Sequence, residues 1–191
     1  MRDFLVYVVG HWIARLTPLH RQTRNLRFKG FNFNVTFYCF SASGATISSF
    51  ARSPQYDELC RAPRPDLCVV FMGGNDITEN TVVANLQARL KEFCMHIEAI
   101  TNSHIRVSMI EPRTRLLGVM RITFNKVRNS LNRNLQHRDQ YFRPRSFITP
   151  LRFEYLSSNG VHPNAAGIER LILKVQKVAC EYLHAHHANQ T

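Results

Sequence analysis

The feature that most restricts this chain is a recurrence of short, continuous apolar runs, each closed by a chain-breaking residue. Residues 4–9 (FLVYVV) end at Gly10, and residues 33–40 (FNVTFYCF) run into a small polar loop at 41–49. Residues 66–72 (DLCVVFM) end at Gly73-Gly74, and residues 104–110 (HIRVSMI) stop before Pro112. The first reads as a strand buried on both faces, the aromatic and β-branched second as another strand, 66–72 as a third, buried strand and 104–110 as a fourth. A weaker run at 141–148 reads as a fifth. Between and after them lie segments with one apolar stripe at helical spacing. Val82, Leu86, Leu90, Phe93, Ile97 and Ile100 form the first, in a helix that Thr78 is placed to cap. Leu117, Met120, Phe124, Val127 and Leu131 form the second, and Ile168, Leu171, Ile172, Val175, Val178, Ala179 and Tyr182 the third. A short helical start is also expected over 11–16, stopped by Pro18, whereas 17–32 is polar and basic without a clear period. Buried strands alternating with amphipathic helices predict a three-layer α/β/α arrangement around a central five-stranded parallel sheet. Right-handed crossovers place the loops after each strand on one edge, where ligands of open sheets bind.

With 191 residues, the chain is read as a single domain over 1–191. A 45% hydrophobic composition excludes a disordered chain, and eight Gly with eight Pro exclude collagen-like and low-complexity classes. No apolar run approaches the roughly 18 residues needed to cross a bilayer, and the run at 4–9 is too short for a signal-peptide core. The expectation is therefore a soluble, intracellular (cytoplasmic or nuclear) protein. Five widely spaced cysteines without a CxxC pair argue against a disulfide framework or a zinc knuckle, and most are read as small buried thiols. The formal charge is +12, and residues 112–153 contain ten Lys or Arg against the single acid Asp139. That excess suits polyanions such as nucleic acid or an acidic partner, although a solvated basic surface has the same composition.

Three motifs fall on that edge of the expected sheet. Gly73-Gly74-Asn75-Asp76 follows the third strand; its glycines allow close backbone approach and the Asn carboxamide can donate to a developing oxyanion. The same residues also make ordinary turns. Asn159-Gly160-Val161-His162-Pro163-Asn164 precedes the last helix and offers an imidazole as general base. Ser41-Ala42-Ser43-Gly44-Ala45-Thr46 follows the second strand, with the Gly44 N–H as a second oxyanion donor.

Taken together and in this order, the motifs resemble the SGNH (GDSL-type) hydrolase superfamily, a flavodoxin-like α/β fold of esterases and lipases, over nearly the whole chain. The resemblance implies that Gly44 and Asn75 hold the oxyanion and His162 is the base, with Gly10, His11, Gly74 and Ser43 around the substrate. It implies an acyl or acetyl ester as substrate and neither a metal nor an organic cofactor. Two departures stand out. The family's first block carries Ser after Gly-Asp or Gly-His, whereas here Gly10-His11 is followed by Trp12. Asn159 occupies the place of the triad acid, three residues before His162. A missing hydroxyl removes the covalent route, unless Ser41, Ser43 or a water activated by His162 replaces it. Two functions are thus expected from the sequence. One is an esterase-like domain impaired by the loss of its serine. The other is a non-catalytic basic module for nucleic acid or an acidic partner.

Overall fold

In the computed structural model, which describes residues 3–11, 20–142 and 148–188, one sheet separates two layers of helix. Its strands are β1 (Asp3–Gly10), β2 (Gln22–Phe28), β3 (Phe31–Ser41), β4 (Leu67–Phe71) and β5 (His104–Val107). They lie in the order β2-β3-β1-β4-β5. The four strands from β3 to β5 are parallel; β2 is antiparallel to β3. The helices are α1 (Ile47–Phe50), α2 (Pro54–Arg61), α3 (Val83–Thr101), α4 (Gly118–His137) and α5 (Ala165–Ala188).

The central strand explains the layering. Val6, Tyr7, Val8 and Val9 of β1 have no exposed surface at all, because successive side chains point into opposite layers. Tyr7 and Val9 join Phe40, Val70, the α3 residues Leu86, Leu90, Phe93 and Ile97, and the α4 residues Phe124, Val127 and Leu131 on one face; Val82, Ile100 and Leu117, expected in the same stripes at the helix ends, are exposed instead. Val6 and Val8 join Phe33, Phe37, Val69 and the inward side of α5 on the other. Three of the five free cysteines, Cys68, Cys94 and Cys180, are buried in these two cores, while Cys60 is exposed.

The sheet departs from the sequence expectation in its membership. The expected all-parallel sheet is corrected by β2, which lies within the segment read as featureless. Its side chains alternate, with Leu26 and Phe28 packed against the α5 layer. A two-residue turn at Lys29-Gly30 joins it to β3; both residues have positive φ, 46° and 85°, the conformation that fits a tight hairpin to twisted strands. The strand expected at 141–148 is not among the five. Residues 143–147 lie outside the described residues, and Ile148 meets Ser108 through one parallel bridge. The helical start expected at 11–16 lies, beyond His11, outside the described residues, as does Trp12. Thr78 does not cap α3; its N–H donates to Thr81 Oγ1, and Val82 precedes the first turn.

Candidate active site

Strand β1 is flanked by β3 on one side and by β4 on the other. Gly10, the last residue of β1, is registered between Ser41 and Phe71. This is the place where strand order reverses, and the loops there splay apart to leave a crevice. A cavity of about 200 Å³ lies at that point, lined by His11, Ser43, Gly44, Gly74, Asn75 and His162, with Glu111 and Arg113 from the loop after β5. Six of the eight residues singled out in the sequence therefore converge. Gly10 ends the strand beneath them, and Asn159 is not part of the lining.

Each loop is held by specific hydrogen bonds. Gly73 adopts φ 100°, starting the 3-10 turn Gly74–Asp76 directly after β4. Asn75 Nδ2 donates to the Ala45 carbonyl at 3.1 Å, which leaves its carboxamide a second N–H. Asp76 is buried, and its two oxygens accept the Ile47 N–H at 3.2 and 3.1 Å. Arg89 also donates to Asp76, at 2.8 Å. Burial raises the Asp76 pKa, while the Ile47 N–H and the Arg89 charge pull it back down. Asn75 and Asp76 thus tie the turn after β4 to the start of α1, where Thr46 and Ser49 form a capping box. The Gly44 loop is suspended between them and β1, because Ala42 N–H donates to the Gly10 carbonyl. Gly44 has φ 71°, and among the described residues its N–H has no protein acceptor.

The His162 loop is built by two asparagines. Asn164 Oδ1 accepts the Gly167 N–H at 2.9 Å and so caps α5. Asn159 Oδ1 accepts from the Ser157 hydroxyl, the Val161 N–H and the His162 N–H at 2.8, 2.9 and 3.1 Å. This modifies the role expected of Asn159 in the acid's position: its oxygen shapes the backbone of the loop, and three donors already occupy it. Gly160, φ 65°, passes its carbonyl to the Thr114 N–H at 2.8 Å. The His162 loop is thereby fastened to the segment that carries Arg113.

His11 is buried, and its pKa falls to about 3. Desolvation is the main cause, reinforced by the Arg113 and His162 charges and opposed by a hydrogen bond to the Phe71 backbone. It is a neutral wall of the crevice at physiological pH. Its ring edge lies beside Gly74, where an added Cβ would sit 3.4 Å from Cε1.

Two crevice residues were missed in the sequence. Arg113 was counted only as one of the basic residues of 112–153. Its guanidinium donates to Asn75 Oδ1 and sits 4.9 Å from the Phe124 ring centroid. Glu111 accepts the Leu151 N–H at 2.7 Å, and burial lifts its pKa to about 7 against the pull of that bond, Lys174 and Arg128. The signal available was positional. Both follow a strand run at its carboxyl end, the same argument that selected Gly74 and Asn75. Among the described residues, no group of three or more His, Cys, Asp or Glu side chains is placed to hold a metal.

The profile of the GDSL-like lipase/acylhydrolase family matches residues 10–170. Among curated proteins, no sequence matches the chain. Solved structures similar to it include the psychrotrophic esterase EstA from Pseudoalteromonas sp., at 12% identity and TM-score 0.61, covering 95% of this chain and 100% of that one. A putative acylhydrolase from Bacteroides fragilis aligns at 16% identity and TM-score 0.65, over 93% of this chain and 88% of its own. An acetylxylan esterase from Geobacillus stearothermophilus aligns at 12% identity and TM-score 0.56, over 95% of both chains. At these identities the likeness is one of fold.

Proposed function

We propose, because the chain belongs to the GDSL-like lipase/acylhydrolase family, that it is an esterase-like domain for acyl or acetyl esters, slowed by loss of the first-block serine. The observation that carries this reading is the meeting of Gly44, Asn75 and His162 around one crevice. In the proposed reaction the ester carbonyl lies between the Gly44 N–H and the free N–H of Asn75. These donors stabilise the charge that develops as the carbonyl carbon becomes tetrahedral. His162 takes the proton of the attacking group and returns it to the leaving alcohol. Gly74 and His11 form the wall on the β1 side.

The attacking group is the unusual part. With Trp12 after Gly10-His11, Ser43 is the hydroxyl side chain among the described crevice residues. We assign the attack to a water deprotonated by His162, with Ser43 beside it, so that no acyl-enzyme forms. Oxyanion donors and binding alone retain roughly 10³–10⁴ over the reaction in water, and that is the scale of turnover expected.

Hydrolysis of p-nitrophenyl acetate and its longer-chain homologues tests the proposal. A slow, saturable rate that disappears in His162→Ala supports it. So does a large gain when Ser is inserted between His11 and Trp12. Background rates in all three proteins would refute it. A second reading, a basic module for nucleic acid or an acidic partner, draws support from the exposure of Arg121, Lys126, Arg133 and Arg138 on and beside α4. Its signature is binding that weakens by orders of magnitude as salt is raised.

A further inference from the structure

Arg113 raises a question of charge balance. Its guanidinium is half-buried against Phe124 and the crevice, and that burial lowers its pKa. Half-buried charges normally find a counter-charge. Among the described residues, no carboxylate lies within ion-pairing distance of Arg113; the ion pairs there are made by Arg21, Arg89, Arg152 and Lys177 instead. Its polar partner is the neutral Asn75 oxygen, one contact for a group with five donors. The acid of the same loop, Glu111, is directed to the Leu151 N–H and answers to Lys174 and Arg128. The other polar groups of the crevice are the Gly44 N–H, the Asn75 amide, the Ser43 hydroxyl, His162 and the neutral His11 ring.

We propose that the crevice is an anion site, in which Arg113 supplies the charge for a small oxyanion group, carboxylate or phosphate, carried by the ligand. The inference rests on the proposed reading for its location and narrows the substrate class, to esters with an anionic group next to the scissile bond. A guanidinium suits this task because its planar fork meets two oxygens of a carboxylate or phosphate at once. Here the fork is immobilised before any ligand arrives, by the Phe124 face and by Asn75. The bond to Asn75 Oδ1 also fixes which end of that carboxamide is the donor end, so one residue orients the oxyanion donor and binds the anion beside it.

The test is an equilibrium titration that requires no turnover. Side-chain guanidinium NMR signals of the full chain are followed while sodium acetate and, separately, inorganic phosphate are added at constant ionic strength. A saturable shift of the Arg113 signal is expected, with affinity falling about tenfold or more in Arg113→Gln. Arg113→Lys should retain part of the affinity, and Arg121→Gln all of it. Saturation by acetate alone assigns the carboxylate; tighter saturation by phosphate assigns the phosphate. Equal affinity in Arg113→Gln, or shifts shared among the exposed arginines without saturation at Arg113, would overturn the proposal. Should Arg113→Gln fail to fold, the wild-type Arg113 signal decides the matter. An esterase-silent chain that binds the anion leaves this inference standing; an active esterase that does not bind it removes this inference alone.

Discussion

Replacing Glu111 by Gln should make the protein more stable in alkali and leave it nearly unchanged in acid. The carboxyl sits where Leu151, Lys174 and Arg128 all favour its ionised form, yet desolvation outweighs them and the pKa rises from 4.5 to about 7. The folded state therefore holds a proton that the unfolded chain has already released between those two values. Stability from this group is complete below about pH 4.5, falls as pH rises toward 7, and is level above that. The shift corresponds to about 3 kcal/mol at pH 8, an upper figure because water reaches part of the side chain. Gln keeps the volume and an oxygen for the Leu151 N–H, so the substitution removes the ionisation cost and little else. Urea unfolding of both proteins, in steps from pH 4.5 to 8.5, isolates the group as a difference. That difference should be within about 0.5 kcal/mol at the acid end and reach roughly 1–3 kcal/mol in favour of Glu111→Gln at the alkaline end. A difference that stays constant with pH, or shrinks as pH rises, would show that the carboxyl is not held protonated.

Three further outcomes follow from the same geometry. His11 is driven the opposite way, from 6.5 to about 3, so its stability contribution is present above pH 6.5 and lost as pH falls toward 3; His11→Asn should flatten the acid limb of a stability–pH curve, and an unchanged limb would contradict its burial as a neutral ring. Gly160→Ala places a Cβ 2.1 Å from Thr114 Oγ1 and 2.8 Å from the Arg115 nitrogen at a positive φ; a loss of about 3 kcal/mol or more is expected by chemical denaturation, and a loss under 0.5 kcal/mol would mean that the loop adjusts freely. Asp76→Ala leaves the Ile47 N–H without its acceptor and Arg89 with Ser48 Oγ alone and should cost about 2 kcal/mol, since Arg89 is part-exposed and rehydrates; a calorimetric melting point equal to the parent's would remove Asp76 as the tie between the Asn75 turn and the start of α1.

The legible parts of this molecule were those in which one strand or helix decides its own burial. Residues 4–9, 33–40 and 66–72 are rich in β-branched and aromatic side chains, and they became β1, β3 and β4 within two residues at each end. The stripes of α3, α4 and α5 were read from spacing alone. What failed was structure that depends on a partner. Strand β2 carries Arg27 between its two inward residues, Leu26 and Phe28, and Arg24 and Asn25 just before them, and only pairing with β3 makes that pattern a strand; the Lys29-Gly30 turn was the local clue. The strand expected at 141–148 falls largely on 143–147, outside the described residues; among the described ones Ile148 meets Ser108 through a single bridge.

The site divides along the same line. Gly44, Asn75 and His162 are identifiable from sequence because each stands in a short motif at the end of a strand or the start of a helix. Arg113 and Glu111 carry no motif. Their properties come from burial and neighbours, which no spacing encodes. Yet the interactions that fix the crevice are mostly non-reacting: Asp76 on Ile47, Asn159 on its own loop, Asn164 on α5, Gly160 on Thr114. Each serves the packing of a helix or turn as well as the position of a crevice residue. None of these four bonds draws on residue 12, so on the proposed reading a missing first-block serine leaves Gly44, Asn75 and His162 in place. It follows that the crevice persists as a rigid, donor-rich pocket whatever its turnover, and that binding and catalysis can be separated experimentally. Substitutions at Asp76 or Gly160 should weaken fold and ligand affinity together, whereas His162→Ala should abolish hydrolysis while anion affinity at Arg113 stays intact.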